Sequence, residues 1–262
     1  MAILLFAALG AACAGPAARA QTLGTAPGSS DLTSVVETAR AARRQAVRSL
    51  RATVTLHLSS PEWEGAGTCE GLLVARRPAE LRLRGYAAFL TVFDVVTDRE
   101  RFWFYVPARH SALTGTAAQE SLVTGLPLLP GEIVNALFAE PYGSGDRPLR
   151  ALEGASGPWV VWTLEDGHEV RARYRLDPVL LERAELYQDG RLEASLDYHD
   201  YRKLKGVWWP MRLDFDWPGD GGRMSLDFEE VTFNRAVEAG AFRFDPPSGV
   251  EVVRVARADE AQ

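Results

Sequence analysis

The sequence predicts a mainly β protein of the α+β kind, built on a single curved antiparallel sheet that forms an unclosed β-barrel of about 11 strands. Two observations favour this fold class. Period-two alternation of apolar and polar side chains recurs along most of the chain, with Asp-Gly and Gly-Asp dipeptides at several turns. Helical periodicity is confined to one segment before the strands and one between two series of strands. Helices placed in this way can cover the open face of a curled sheet.

Composition excludes several classes of protein. The chain has 262 residues, of which 47% are hydrophobic and 24% are charged, as in an ordinary globular domain rather than a disordered chain. The net charge of -6 lacks the excess of positive charge that is typical of proteins that bind nucleic acid. No internal stretch approaches the ~20 apolar residues that a membrane-spanning helix requires. Cys13 and Cys69 are the two cysteines, and we expect no intramolecular disulfide because Cys13 is lipidated or removed.

Residues 1–20 have the features of a secretory signal peptide. Ala2 to Ala12 is an apolar run of signal-peptide length that is too short to span a membrane. In one interpretation Leu9 to Cys13 is a bacterial lipobox and Cys13 carries the lipid anchor. In the other, Ala18 to Ala20 is an A-x-A site and cleavage follows Ala20. We favour the lipoprotein interpretation because a polar segment, residues 21–30, follows and is expected to be a flexible linker.

An amphipathic helix is predicted from about residue 31. Ser30 or Asp31 can cap it, and Ser34-x-x-Glu37 offers a capping box. Apolar residues recur at helical spacing along one side: Leu32, Val35, Val36, Ala39, Ala42, Ala46, Val47 and Leu50. Arginines supply the polar side: Arg40, Arg43, Arg44 and Arg48. The helix is therefore expected to lay one apolar stripe on the sheet.

About five strands follow the helix, in keeping with their β-branched and aromatic content. Leu81 and Leu83 alternate with Arg82 and Arg84, and residues 91–97 turn into residues 101–106 as a strong hairpin signal. Other strands are expected near residues 53–58 and 68–75. The same alternation places Trp103 and Phe104 on opposite faces of the sheet.

An excursion from the sheet separates this series from a second one. Prolines and glycines bracket a short amphipathic helix at residues 131–139, whose apolar face contains Ile133, Val134, Leu137 and Phe138. Five or six further strands are predicted after it: residues 159–164, 168–176, 181–187, 191–201, 208–217 and 224–231.

Three segments carry a resemblance to a known family. Residues 101–107 with 113–115 are similar to a strand pair that precedes the helical insert of that family. Within the insert, Thr124 to Pro130 has the pattern T-G-x-P-hydrophobic-P. Near the C-terminus, Phe242 to Val250 has the pattern F-x-F-x-P-P-x-G-V. In this order they resemble the LolA/LolB superfamily of periplasmic lipoprotein carriers, including uncharacterised LolA-like outer membrane lipoproteins. The resemblance covers residues 31–255 and implies a half-barrel with an N-terminal helix and a helical lid. Residues 256–262 are expected to be a disordered tail.

The resemblance implies a function in the cell envelope. We expect a periplasm-facing lipoprotein that binds or transfers lipid, or the acyl chains of a lipoprotein, in a hydrophobic cavity. It would be anchored at the periplasmic face of the outer membrane through Cys13, or be soluble in the periplasm if it is cleaved after Ala20. The alternative is a non-enzymatic assembly or scaffold protein that uses the same fold as a protein-interaction surface. In either case we expect a monomer that binds no nucleic acid.

Two sets of residues are candidates for the binding site. In LolB-type proteins a loop that corresponds to residues 85–90 projects a hydrophobic residue into the outer membrane, which makes Tyr86, Phe89 and Leu90 a candidate membrane-contacting loop. The competing interpretation is that this loop folds back and buries Phe89 and Leu90 in the core. Candidate cavity-lining residues come from the strands and the lid helix: Trp103, Tyr105, Ile133, Leu137, Trp162, Tyr174, Phe215 and Trp217. Most strand aromatics are packed core, so we expect a minority of these to face a cavity.

The sequence gives little support for catalysis. The four histidines show no metal-ligand spacing, and neither a G-x-S-x-G elbow nor a phosphate-binding glycine loop is present. Asp214 and Asp216 share a face with Arg212, which is typical of a solvated charged surface. We therefore expect a protein that is not an enzyme and that uses neither a metal nor a cofactor.

Overall fold

The computed structural model describes residues 24–25, 29–59, 67–116, 130–140, 150–154, 157–164, 167–219, 221–238 and 240–255. Cys13, both candidate cleavage sites, Thr124 to Leu129 and the tail 256–262 lie outside these residues. The described part contains two helices, α1 (Ser29–Ala46) and α2 (Pro130–Leu137), and a short 3-10 helix at Pro107–Arg109. None of its helices is both long and apolar enough to cross a membrane.

The strands alternate along the chain with tight turns. They are β1 (Gly24–Thr25), β2 (Ser49–Ser59), β3 (Gly67–Arg76), β4 (Glu80–Ala87), β5 (Leu90–Asp98), β6 (Arg101–Val106), β7 (Ser111–Thr116), β8 (Arg150–Gly154), β9 (Gly157–Thr163), β10 (Glu169–Leu176), β11 (Val179–Gln188), β12 (Arg191–His199), β13 (Arg202–Leu204), β14 (Val207–Trp209), β15 (Arg212–Trp217), β16 (Gly222–Phe233) and β17 (Glu251–Arg254).

Fifteen of these strands form one sheet in the order β1-β8-β9-β10-β11-β12-β15-β16-β2-β3-β4-β5-β6-β7-β17, and β13 pairs with β14 separately. Neighbours are antiparallel except for β7 and β17, which run parallel. The sheet is curved and not closed into a barrel, which confirms the predicted fold class. It holds more strands than the 11 or so expected because short strands such as β1, β8 and β17 have no run of alternation long enough to identify them.

Two details differ from the expected element boundaries. Gly24 and Thr25, within the segment expected to be a linker, pair with Leu152 and Glu153 of β8. The segment expected to be one strand at 208–217 is divided into β14 and β15 at Pro210. Proline has no N–H for a ladder hydrogen bond, so it falls at a break between strands.

Helix α1 is fixed at its C-terminal end by a residue far away in the sequence. The Asn234 side chain, just after β16, donates to the carbonyl of Ala46 at 2.6 Å and accepts from the backbone N–H of Arg48 at 2.7 Å. These bonds satisfy groups that a helix end leaves without an intrahelical partner. The contact ties the end of α1 to the strand pair β2 and β16, which lies at the centre of the sheet order.

The main hydrophobic core lies on one face of the sheet, which we call the inner face. Helices α1 and α2 both contribute to it, through Val36 and Val47 of α1 and Val134 and Leu137 of α2. Alternation brings a continuous set of strand residues to this face: Leu56, Leu73, Trp162, Ala172, Ala184, Leu196, Leu213 and Leu226. The opposite face, the outer face, carries most of the charged side chains of the strands.

Candidate functional site

The structure separates the eight candidate cavity residues into three groups. Trp162, Tyr174, Phe215 and Leu137 are buried within the main core. Ile133 and Trp217 are half-buried and pack against that core. The remaining two, Trp103 and Tyr105, lie on the outer face, where each ring centroid is 5.4 Å from that of Phe244. The structure therefore does not bring these eight residues together around one inner-face surface.

A different set of apolar residues is partly buried on the inner face of β4 to β7, and two of them, Leu83 and Phe93, pack against the main core. Leu83 pairs with Val95, Val95 with Phe104, and Phe104 with Leu113, so one row crosses four strands. Phe93 and Val106 share the same face, two residues from Val95 and Phe104 respectively. We call these six residues, all half-buried, the open inner patch. Such contiguous apolar surface is typical of a binding site rather than of a solvated face.

Gly85 lets one member of the open inner patch lie flat against the sheet. It pairs with Phe93 across β4 and β5, and a Cβ atom at this position would collide with the Phe93 ring. Phe93 therefore covers the backbone of Gly85, and any larger residue there would displace the ring.

The open inner patch could have been identified from the sequence by following the alternation of side chains between the two faces of the sheet from one strand of each hairpin to the next. Leu81 and Leu83 alternate with Arg82 and Arg84, so the apolar face of β4 is known before any pairing is assigned. Carried across the turns, that face includes Phe104 and excludes Trp103. Trp103 and Tyr105 were predicted as cavity residues, but they lie on the opposite face from Phe104.

The outer face of the same strands is closed by the C-terminal segment, residues 240–250. Asp94 is buried there and accepts hydrogen bonds from Arg82 at 2.7 Å and from Arg84 at 2.8 Å. Arg82 also donates to the carbonyls of Ala241 and Arg243, at 3.2 and 3.4 Å. One carboxylate thus orients two guanidinium groups, and one of these holds the backbone of the segment that covers Trp103 and Tyr105.

The β4–β5 turn projects apolar side chains into solvent. Ala88 and Phe89 form a two-residue turn with φ angles of 48° and 66°, in the left-handed region that few non-glycine residues adopt. Phe89 is fully exposed and Leu90 is 71% exposed, whereas Tyr86 is half-buried. The structure does not fold this turn back into the core, contrary to the competing interpretation for Phe89 and Leu90. A two-residue turn of this kind costs backbone strain and leaves an apolar tip in water.

Titratable groups elsewhere in the described residues form ion pairs rather than a metal centre. No group of three or more His, Cys, Asp or Glu residues is placed to hold a metal ion in this part of the chain. His57 lies 3.5 Å from Asp227 and His199 lies 3.1 Å from Asp214, which Arg212 also contacts. Burial raises the pKa of the Cys69 thiol, which disfavours the reactive thiolate.

Three solved structures share this arrangement. They are a LolA superfamily protein from Nitrosomonas europaea (TM-score 0.56, 15% identity), a DUF1329 family protein from Desulfovibrio piger (0.56, 14%) and a domain from Vibrio parahaemolyticus described as an outer membrane lipoprotein-sorting protein (0.57, 13%). Each covers 80% of this chain, and the matches span 96%, 96% and 95% of the respective chains. The chain has the LolA-superfamily fold. No protein-family model matches the chain, and no curated protein matches it significantly.

In this LolA-like fold, a buried ion pair holds the lid helix α2 to the sheet. Glu140, just after α2, is 0% exposed and accepts from both terminal nitrogens of Arg77, at 2.7 and 3.3 Å. Arg77 also donates to the carbonyl of Val47 at 3.2 Å and lies 4.3 Å above the ring of Phe138. Burial lowers the pKa of Arg77, and Glu140 opposes that shift. Arg77 therefore links the β3–β4 turn, the end of α1 and the lid.

Proposed function

We propose that this protein binds or transfers lipid, or the acyl chains of a lipoprotein, on the inner face of its half-barrel. The open inner patch carries the proposal, because six apolar side chains in one continuous area are only partly buried on the face where the core lies. Burying an acyl chain there removes apolar surface from water on both partners, at about 0.8 kcal/mol per CH₂ group. The LolA-like fold supports this proposal, since one of its solved relatives is described as a lipoprotein-sorting protein.

The membrane-contacting loop belongs to the same proposal. Phe89 and Leu90 stand exposed at the tip of a hairpin that is continuous with β4 and β5, two of the strands that carry the open inner patch. Contact of this tip with the bilayer, together with an anchor on Cys13, would place the patch at the periplasmic face of the outer membrane. The ligand is bound without covalent chemistry, and neither metal nor cofactor takes part.

One observation favours the scaffold alternative. Under α1 the inner face is filled by bulky side chains: Trp162, whose ring lies 5.1 Å from the Arg40 guanidinium carbon of α1, is completely buried, and Tyr174 is nearly so. A carrier whose ligand must lie beneath α1 would need to displace them. A scaffold protein would instead use the open inner patch to bind another protein.

Native mass spectrometry with lipid extraction tests the choice between carrier and scaffold. The chain purified from a periplasmic expression host is expected to carry phospholipid or acylated peptide in stoichiometric amount. The Phe104→Ala variant should lose that ligand, whereas Leu176→Ala, an exposed apolar residue at the end of β10, should keep it. A ligand-free mass that also takes up no fluorescent fatty acid would overturn the carrier proposal.

Liposome flotation tests the membrane-contacting loop separately. In a Cys13→Ala background, which removes any anchor, Phe89→Ser with Leu90→Ser is expected to reduce binding to liposomes without loss of stability, because both side chains are exposed. The control pairs Leu72→Ser with Leu176→Ser, two exposed leucines on other strands. Equal binding of the loop variant and the parent would show that the tip makes no contact with lipid.

A further inference from the structure

Arg40 is a buried cation, and two of its three guanidinium nitrogens have no hydrogen-bond acceptor among the described residues. It lies on the inner side of α1 and is only 4% exposed, although the sequence pattern assigns it to the polar side of the helix. Its Nε and Nη2 atoms are buried and have no partner in the described part of the chain. Its guanidinium carbon lies 5.1 Å from the centre of the Trp162 ring. The ring face offsets only part of the cost of burying a charge, and it accepts none of the in-plane N–H groups.

Other buried donors in this region also have no partner among the described residues. They are Nη1 of Arg43, the hydroxyl of Tyr174 and Nε1 of Trp162. Burial raises the pKa of Tyr174, while the charges of Arg40 and Arg43 act to lower it and the charge of Glu140 acts to raise it. Arg40 and Arg43 are three residues apart on α1, so their side chains lie on the same side of the helix. Buried polar groups are normally hydrogen-bonded, so several unused donors in one place indicate a missing acceptor.

The charge balance points to an anion. Arg43 and Arg44 both act on Arg77, so the cations of α1 and of the β3–β4 turn share one environment. The carboxylate that the structure places with them is Glu140, which Arg77 engages with two hydrogen bonds and which lies 3.9 Å from Arg44. Glu140 is therefore committed to the lid contact, and no carboxylate among the described residues lies within salt-bridge distance of Arg40 or Arg43.

We propose that Arg40, Arg43 and Tyr174 bind a phosphate or carboxylate group, so that the ligand of this protein is an amphiphile with an anionic head. A guanidinium fork and a hydroxyl supply several donors to one oxyanion, and such charge-assisted hydrogen bonds are the stronger ones. The acyl part of this inference rests on the proposed function; the anion site itself does not. The cluster and the open inner patch face the interior of the same curved sheet.

Binding of four probes to the delipidated full chain tests the proposal. Dodecyl phosphate, dodecanoate and dodecanol share one alkyl chain and differ in the head, and sodium phosphate supplies the anion without a chain. Calorimetric titration below the micelle concentrations is expected to show that both charged amphiphiles bind at least about tenfold more tightly than dodecanol, as one charge-assisted hydrogen bond allows. If sodium phosphate alone raises the melting temperature as much as dodecyl phosphate does, the site is supported and its natural occupant is a free anion.

Two variants assign the selectivity to the cluster. Tyr174→Phe removes a hydroxyl that has no partner among the described residues, so the ligand-free protein should keep its stability while the preference for dodecyl phosphate over dodecanol falls. Arg40→Gln should abolish the preference and leave the affinity for dodecanol unchanged. Arg48→Gln, an exposed arginine just beyond α1, serves as the control and should change neither.

Two further results would contradict different parts of the argument. Equal affinity for dodecanol and for both charged amphiphiles in the parent protein overturns the anion site and leaves the carrier proposal standing. If no amphiphile binds but sodium phosphate does, and Arg40→Gln removes that binding, the anion site stands and the carrier proposal fails.

Discussion

The two halves of the sheet are covered on opposite faces. From β9 to β12, with β15 and β16, the inner face is filled by buried side chains such as Trp162 and Phe215, and residues of both α1 and α2 belong to the same core. From β4 to β7 it is the outer face that is closed, by the C-terminal segment with Phe242 and Phe244, while the inner face keeps the open inner patch. A sheet of this size needs cover on both faces to bury its apolar residues fully. The inner face is therefore less completely covered from β4 to β7 than it is from β9 to β12.

The largest effect that tests this comparison is on core packing. Trp162→Ala should lower the free energy of unfolding by about 3–5 kcal/mol, because it leaves a cavity in a filled region. Phe104→Ala should cost much less, since its ring is half-exposed and leaves no enclosed void. Urea denaturation of the delipidated proteins measures both values. Equal losses would show that the two halves are packed alike.

The lid contact joins the two halves, and its loss should have the next largest effect. Glu140→Gln keeps the shape of the side chain but leaves Arg77 buried without a counter-charge, which should cost about 3 kcal/mol. Hydrogen exchange of the α2 amides should rise together with the loss of stability. Glu238→Gln, an exposed residue, is the control and should be neutral. Unchanged exchange in α2 would mean that the ion pair does not hold the lid.

The alternation of the sequence was sufficient to predict most of the sheet, since the strands from β2 to β6 follow from local pattern and turn residues, whereas β7 was indicated only through the family resemblance. The pairing of β17 with β7 was not predictable, because four consecutive exposed residues have no periodicity and their partner lies more than a hundred positions earlier. The same limit explains the site. Whether Trp162 fills the core or lines a cavity depends on where α1 packs, and that placement is set by contacts such as Asn234 with Ala46 that no local pattern encodes.

The cover on the outer face should depend on one carboxylate. Asp94→Asn weakens the hydrogen bonds to Arg82 and Arg84 and leaves two cations against the segment at 240–250, which should cost about 2 kcal/mol. Limited proteolysis should then cut that segment faster than in the parent. Asp216→Asn removes a pair with Arg223 in which both side chains are exposed, and should be nearly neutral. Equal proteolysis of the two variants would show that Asp94 does not hold the cover.

The smallest effect concerns acid stability at the β3–β4 turn, beside the lid contact. A hydrogen bond from Arg76 lowers the pKa of Glu80 below its ordinary value of 4.5, and Arg99 adds to the shift, while burial opposes it. A carboxyl whose pKa is lowered by folding stabilises the native state above its ordinary pKa, and this contribution is lost as the pH falls through and below that value. Glu80→Gln should therefore cost about 1 kcal/mol or less at pH 7, since Arg76 is partly exposed. The difference in the free energy of unfolding between parent and variant, measured by urea denaturation, should shrink below about pH 4.5. A difference that stayed constant down to pH 3 would mean that the ionised Glu80 carboxylate gains no stability from its contact with Arg76.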